Sequence, residues 1–290
     1  MVTQPMRTGP GGTRRRHRVL SLISFALLGI AVVARPQVVF GIAIIAIVLV
    51  PAERLMTLRS QPIFREGWLA DLTHLFVNAG FTAVGLVVTL APVIVITRRY
   101  AGGFQIAVAS QPAWLQFVEA LIIIETASYW GHRASHRSPV LWRFHSVHHS
   151  IEQMDCLAAG RLHPIDQIFT QACVVGPLLI LGFSRRTLGA YVLVSAVSAI
   201  VIHANVRWTF GPLRYVIASP QYHHWHHAND PSARDVNFAG HAPVLDRIFG
   251  THHLPGSEWP LQYGIVEPVP AGYLQQLAWP FTNTTRNENC

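Results

Sequence analysis

Apolar residues fall in six runs along the chain: Val19 to Ala34, Val38 to Val50, Leu75 to Thr97, Ala113 to Tyr129, Ile168 to Phe183 and Leu188 to Ile202. A helix needs roughly 20 residues to cross the hydrocarbon of a bilayer. Leu75 to Thr97 meets that length and Ala113 to Tyr129 nearly does. The shorter pairs within 19–50 and 168–202 predict tilted spans or helical hairpins. The pattern predicts an all-α integral membrane helical bundle with four to six membrane helices. It divides the chain into a basic tail (1–18), N-terminal membrane helices (19–130), a histidine-rich domain with a helical cap (131–251, including the hairpin 168–203) and a C-terminal tail (252–290). The first 18 residues and the closing "FTNTTRNENC" predict no ordered structure.

Composition supports the membrane reading. The chain is 51% apolar and only 12% charged, about half the charge of an ordinary globular domain. Arg14, Arg15, Arg16 and Arg18 precede the first run, and no small-residue cleavage site follows before Arg35-Pro36, so this run predicts a retained anchor. The positive-inside bias places the N-terminus in the cytoplasm. Counting crossings from there puts 53–73, 131–167 and 203–290 on the same side, in a multi-pass protein of a bacterial inner membrane. Arg98-Arg99 falls on the opposite side and runs against that rule. The net charge of +8 is carried by arginine alone, with no lysine, and clusters beside the apolar runs. Anionic lipid head groups explain it better than nucleic acid. Cys156, Cys173 and Cys290 are too scattered for a disulfide framework or a thiolate metal site.

Three histidine boxes stand out: His132 and His136 in "HRASH", His145, His148 and His149 in "HSVHH", and His223, His226 and His227 in "HHWHH". Residues three and four apart share one face of a helix, so each box presents its imidazoles together, and neighbours can turn toward different ions. Eight neutral nitrogen donors suit iron, copper or zinc and exceed what one ion takes, which points to a pair of metals. His203, closing the last apolar run, makes nine, although a helix C-terminus also favours a histidine with no ligand role. His163 in "RLHPID" is a further ligand, a group behind the ligands, or structural. His224 falls between ligands and should point elsewhere. His241, His252 and His253 sit in a Gly- and Pro-rich loop where exposure is expected, His17 belongs to the basic tail, and His74 reads as interfacial.

In content, order and spacing, "HRASH", "LWRFHSVHHS", "RLHPID", "HANVRWTFGPLRYVIASPQYHHWHH" and "DVNFAGHAPVLDRIFGT" resemble the fatty acid hydroxylase superfamily, often labelled sterol desaturase. The resemblance runs from about Trp130 to Thr251. It implies a membrane oxygenase with a histidine-ligated dinuclear centre on the cytoplasmic side, two iron ions in the active form and O2 as co-substrate. It makes His132, His136, His145, His148, His149, His223, His226 and His227 ligands, and His203 matches a further histidine that the family supplies before its third box. The implied reaction is hydroxylation or desaturation of a C–H bond in a fatty acyl, sterol or related lipid. Phe238 and Ala239 stand where many relatives have tyrosine and glycine, a departure that bears on substrate.

Asp155, Asp166, Asp235 and Asp246 are within reach by sequence to orient the imidazoles. No cysteine cluster or Gly-x-Gly-x-x-Gly fingerprint is present for a built-in reductant. An external electron donor is therefore expected, such as ferredoxin with its reductase or a cytochrome b5-type carrier, steered by Arg133, Arg137, Arg143, Arg161 and Arg234. The competing readings are a membrane zinc hydrolase, which lacks a glutamate at a general-base position within the boxes, and a metal transporter or haem-binding protein, which expects ligands at mid-membrane.

Overall fold

A computed structural model describes residues 47–282, together with residues 19, 22, 23 and 26. The basic tail and most of the first two apolar runs fall outside the described residues, as do the last eight residues. The fold is helical throughout, with only two isolated β-bridges, Thr57 to Val206 and Ala228 to Tyr263, among the described residues.

Four long helices form the bundle: α1 (Trp68–Ala109), α2 (Ala113–Arg137), α4 (Pro164–Leu181) and α5 (Arg185–His203), with the short α3 (Pro139–His149) between the second and third. Among the described residues, α1, α4 and α5 are long and apolar enough to cross a membrane. Val84, Val87, Val88 and Val95 on α1 and Leu193 and Val194 on α5 are exposed, an apolar surface of the kind that lipid covers. The fourth expected span belongs to α2, which at 25 residues is long enough but carries Glu119 and Glu125 and ends in the first histidine box.

Helix α1 extends beyond the expected run. It is 42 residues long and passes through Arg98-Arg99 to a break in helical geometry at Ala101. At 1.5 Å per residue it is about twice as long as the hydrocarbon is thick. Its first turns, with Asp71 and His74, therefore belong to the polar cap. His74 is fully buried there and bonds Gln276 at 2.8 Å, where an interfacial position was expected.

Helices α4 and α5 form the expected hairpin, turning through Gly182, Phe183 and Ser184. Gly182 has φ +87°, and a Cβ there would stand 2.7 Å from the Gln105 backbone, so only glycine allows α1 to cross this closely. Ala120, Ile124, Leu178, Phe183 and Tyr191 pack the core between α2, α4 and α5. This packing brings the starts of α1 and α4 and the ends of α2 and α5 to one end of the bundle. There the cap is completed by α3, α6 (Pro220–His226), α7 (Val244–Ile248) and α8 (Tyr273–Thr282). Helix α8 replaces part of the expected disordered tail: Phe281 packs on Phe144, and the Leu277 carbonyl accepts from His163 Nε2 at 3.2 Å.

Candidate metal centre

Each box helix is set by a serine cap or a proline start. Ser138 accepts from the Leu141 amide ahead of α3, and Ser219 from the Tyr222 amide ahead of α6, each with proline at the first helical position. Helical geometry then sorts the histidines. Residues four apart differ in direction by about 40° and residues three apart by about 60° the other way. His132 and His136 therefore point together, as do His145 and His149, and His223 and His227, while His148 and His226 turn aside from their own boxes.

The nine expected ligands fall into two groups. His132, His136, His145, His149 and His226 form one; His148, His203, His223 and His227 form the other; within each, one ligand atom per residue lies within 4.8 Å of the rest. The groups adjoin, the rings of His149 and His227 stacking at 4.5 Å between centroids.

The ring nitrogens show what the site is built for. The Nδ1 atoms of His132, His148, His203 and His226 face the carbonyls of Phe238, Arg161, Ala199 and Val236 at 2.6 to 3.0 Å, and that of His145 faces Asp166 at 3.1 Å. An acceptor at Nδ1 fixes the hydrogen there and leaves Nε2 as a bare lone pair. Yet Nε2 of His132 lies 3.1 Å from Nε2 of His145, and Nε2 of His203 lies 3.3 Å from Nε2 of His148. Facing lone pairs repel unless a cation sits between them. Two nitrogens each ~2.1 Å from a shared ion, at right angles about it, are about 3.0 Å apart. The buried Nε2 atoms of His136, His149 and His226 have no hydrogen-bond partner at all, a cost that a metal ion removes. Burial and the neighbouring imidazoles hold His148, His149, His223, His226 and His227 well below the ordinary histidine range. They are neutral donors, as metal ligation needs.

The four carboxylates separate into different roles. Asp166 meets His145, and Asp235 approaches His136 Nδ1 at 3.5 Å while pairing with Arg137 at 3.2 Å. Asp246 and Asp155 touch no imidazole, against expectation. Asp246 is fully buried, accepts from the amides of Phe238 and Ala239 and from the hydroxyls of Tyr222 and Thr251, and so holds the loop whose Phe238 carbonyl meets His132. Asp155 belongs to a buried ion cluster. Arg65 joins it to Asp71, and Asp71 holds Arg161 at 2.5 Å. The Arg161 carbonyl in turn accepts from His148, so the cluster positions one metal group through the backbone.

His163 takes the structural one of its open roles: it joins neither group, and its Nδ1 caps α4 by accepting from the Ile165 amide. Other residues differ from expectation. Arg161 is buried and cannot meet a carrier, and Arg133 lies over Trp130 and donates to the Tyr129 hydroxyl. His241 is half-buried against Glu125 at 2.8 Å, and His252 and His253 are half-buried as well. His224 points away from both groups as expected, but is fully buried and bonded to the Tyr263 hydroxyl at 2.7 Å and the Ala204 carbonyl. Arg65 and Asp71 escape sequence reasoning. The one available signal was Asp71 at the entrance to an apolar run, where an acid is costly unless paired.

A mostly helical bundle that gathers nine imidazoles into two adjoining groups at its polar end defines the class: a membrane-helix protein with polyhistidine groups that could hold metal. Residues 117–251 match the fatty acid hydroxylase family, so this segment of the chain is similar to a fatty acid hydroxylase domain. The chain is 34% identical over 180 residues to ornithine lipid hydroxylase OlsE of Rhizobium tropici, covering 61% of this chain and 54% of that protein. It is 30% identical over 156 residues to alkylglycerol monooxygenase of Danio rerio, covering 54% and 33%, and 26% identical over 147 residues to very-long-chain aldehyde decarbonylase GL1-11 of Oryza sativa subsp. indica, covering 48% and 54%. The chain thus spans about half or less of the relatives it matches. No solved structure matches it.

Proposed function

We propose that the protein is an O2-dependent lipid oxygenase whose nine histidines hold two iron ions, five ligands on one and four on the other. The observation that carries this is the convergence of bare Nε2 lone pairs in two adjoining groups, within a domain whose relatives are named as lipid hydroxylases and monooxygenases. A pair of ferrous ions, when bound, supplies the reducing power to split dioxygen and the oxidising power to break an unactivated C–H bond.

The chain's own residues do the rest. Asp166 and the carbonyls of Phe238, Arg161, Ala199 and Val236 keep the ring hydrogens on Nδ1 and lock ring direction. Phe238, with its ring 5.1 Å from that of His136 and 5.8 Å from that of His132, closes an apolar wall over the larger group and keeps bulk water from that side. Asp166 and Asp235 face the Nδ1 side of their histidines, so neither is placed as the general base that a zinc hydrolase needs. The site lies at helix ends, where a membrane lipid presents its polar part.

The arginine-rich N-terminus supports an arrangement with this end of the bundle in the cytoplasm. With the native cysteines removed, a single cysteine at Ser138 or Ser232 is expected to react with a membrane-impermeant reagent only after the inner face is opened. Labelling of either from outside intact cells contradicts the orientation.

Hydroxylation consumes two electrons from outside the substrate each turnover, and a carrier such as a ferredoxin with its reductase, or a cytochrome b5-type protein, would supply them. Iron-loaded, pre-reduced protein given lipid and O2 is expected to stop after about one turnover and to resume when a ferredoxin, its reductase and reduced nicotinamide are added. Sustained turnover with no added donor contradicts the reading.

A further inference from the structure

Among the described residues, two rings other than histidine lie against the larger histidine group. Phe238 stands 5.1 Å from His136 between ring centroids, and Trp142 stands 5.2 Å from His136, 5.4 Å from His149 and 6.3 Å from His145. The rings packed on the smaller group are all imidazoles. Phe238 is fully buried, and the chain of rings from it to an exposed one runs through Tyr129 to Trp130 or Phe249. Trp142 needs no such chain. It is half-buried and forms one side of a cavity of about 210 Å³ whose floor is His136, His149 and His226. Asn229, Pro231, Arg234 and Val266, all exposed, form the mouth. No residue of the three candidate spanning helices lines this cavity, which places it outside the hydrocarbon.

We propose that Trp142 is the residue through which electrons enter the metal pair, and that a small one-electron carrier protein delivers them at the mouth of this cavity. The proposal rests on the oxygenase reading above and adds the route of re-reduction. Electron tunnelling weakens exponentially with distance, and it weakens least through conjugated rings in contact. The route through Trp142 has one ring between the outer face and the imidazoles, and the route through Phe238 has three. The shorter route wins.

The size of the cavity fits this division of labour. Its 210 Å³ equals the volume of about seven waters at ~30 Å³ each, which admits a small reductant but not a folded carrier. A carrier protein therefore stops at the mouth, and the indole spans the remaining gap to His136 and His149. Arg234, one of the arginines expected to steer a carrier, stands there, but Asp230, Asp235 and Glu267 line the cavity too. Net charge thus does not mark the docking point; the route to the histidines does. Each transfer oxidises the carrier by one electron and reduces one ferric ion to ferrous, and the indole ends it unchanged. Two transfers restore the pair after a turnover.

The test uses the iron-loaded full chain in detergent, oxidised and then mixed without oxygen with reduced ferredoxin, with a reduced cytochrome b5-type protein or with dithionite. The absorbance of the carrier reports its oxidation, and a concentration series gives the limiting rate at saturating carrier. Trp142→Leu, which removes the ring, is expected to lower that limiting rate severalfold while half-saturation and iron content hold. Trp142→Phe, which keeps a smaller ring, should fall between. Dithionite, small enough to enter the cavity, should reduce all three proteins at one rate. A leucine variant that accepts electrons from a carrier at the wild-type limiting rate overturns the proposal, and so does an equal slowing with dithionite, which marks damage to the centre itself. Should leucine cost the protein its iron, the phenylalanine variant decides, and the wild-type limiting rate in it overturns the proposal. Wild-type protein reduced by dithionite but by neither carrier overturns this route and leaves the oxygenase reading standing. Wild-type protein that takes up no iron overturns both.

Discussion

Replacing Asp71 by alanine is expected to remove a large share of the protein's stability. Asp71 is fully buried and is held by Arg65 at 2.6 Å and Arg161 at 2.5 Å, two guanidiniums that are themselves 1% and 6% exposed. Asp155 compensates Arg65 but does not bond Arg161, so the alanine leaves a buried cation with no carboxylate partner, only long bonds to Ser150. Breaking a buried pair in this way costs about 3–5 kcal/mol, against a total stability of about 5–15 kcal/mol for a typical domain. The loss also frees the Arg161 backbone, whose carbonyl fixes His148 at 3.0 Å, so any protein that survives should hold metal poorly. Asp71→Asn keeps the shape and one acceptor and should be milder. Size-exclusion profiles and melting curves in detergent check this; an alanine variant with the wild-type melting temperature contradicts it.

Removing a ligand is expected to separate the two groups. His226→Ala takes one of five imidazoles from the larger group and His148→Ala one of four from the smaller. Each should lower metal content and end oxygen-dependent turnover, with the larger loss of occupancy in His148→Ala because fewer donors remain. His224→Ala is the control. It belongs to neither group and meets the smaller one only at the His203 backbone, so metal stoichiometry should hold, but its buried bonds to Tyr263 and Ala204 predict a stability loss of about 2 kcal/mol. Elemental analysis beside a melting curve distinguishes the two kinds of damage; loss of a metal ion in His224→Ala, or full occupancy in His148→Ala, contradicts the grouping.

The histidine groups were legible in the sequence because helical period is a local property. His145 and His149 share a direction through their spacing alone, and His203 needed only the end of an apolar run to be noticed. What holds the rings was mostly not legible. The anchors of His132, His148, His203 and His226 are backbone carbonyls, which every residue carries and no motif marks. Among the carboxylates, Asp166 and Asp246 look alike in sequence, and only the tertiary fold sends one to an imidazole and the other to the amides of Phe238 and Ala239. Of the three roles open to His163, the structure gives the structural one, because Pro164 starts a helix at that point and the ring caps it. Membrane helices were readable from hydropathy, whereas α8 was not, since a short helix in a Pro-rich tail gains its stability by docking on Phe144 and His74.

The central claim is that the two histidine groups hold two metal ions. Protein purified without oxygen from iron-supplemented cells, analysed for iron, zinc and copper against quantified chain, tests it most directly. The account predicts close to two iron ions per chain, with iron the only metal in quantity. One ion per chain, or none in folded protein that has been offered ferrous iron, contradicts it.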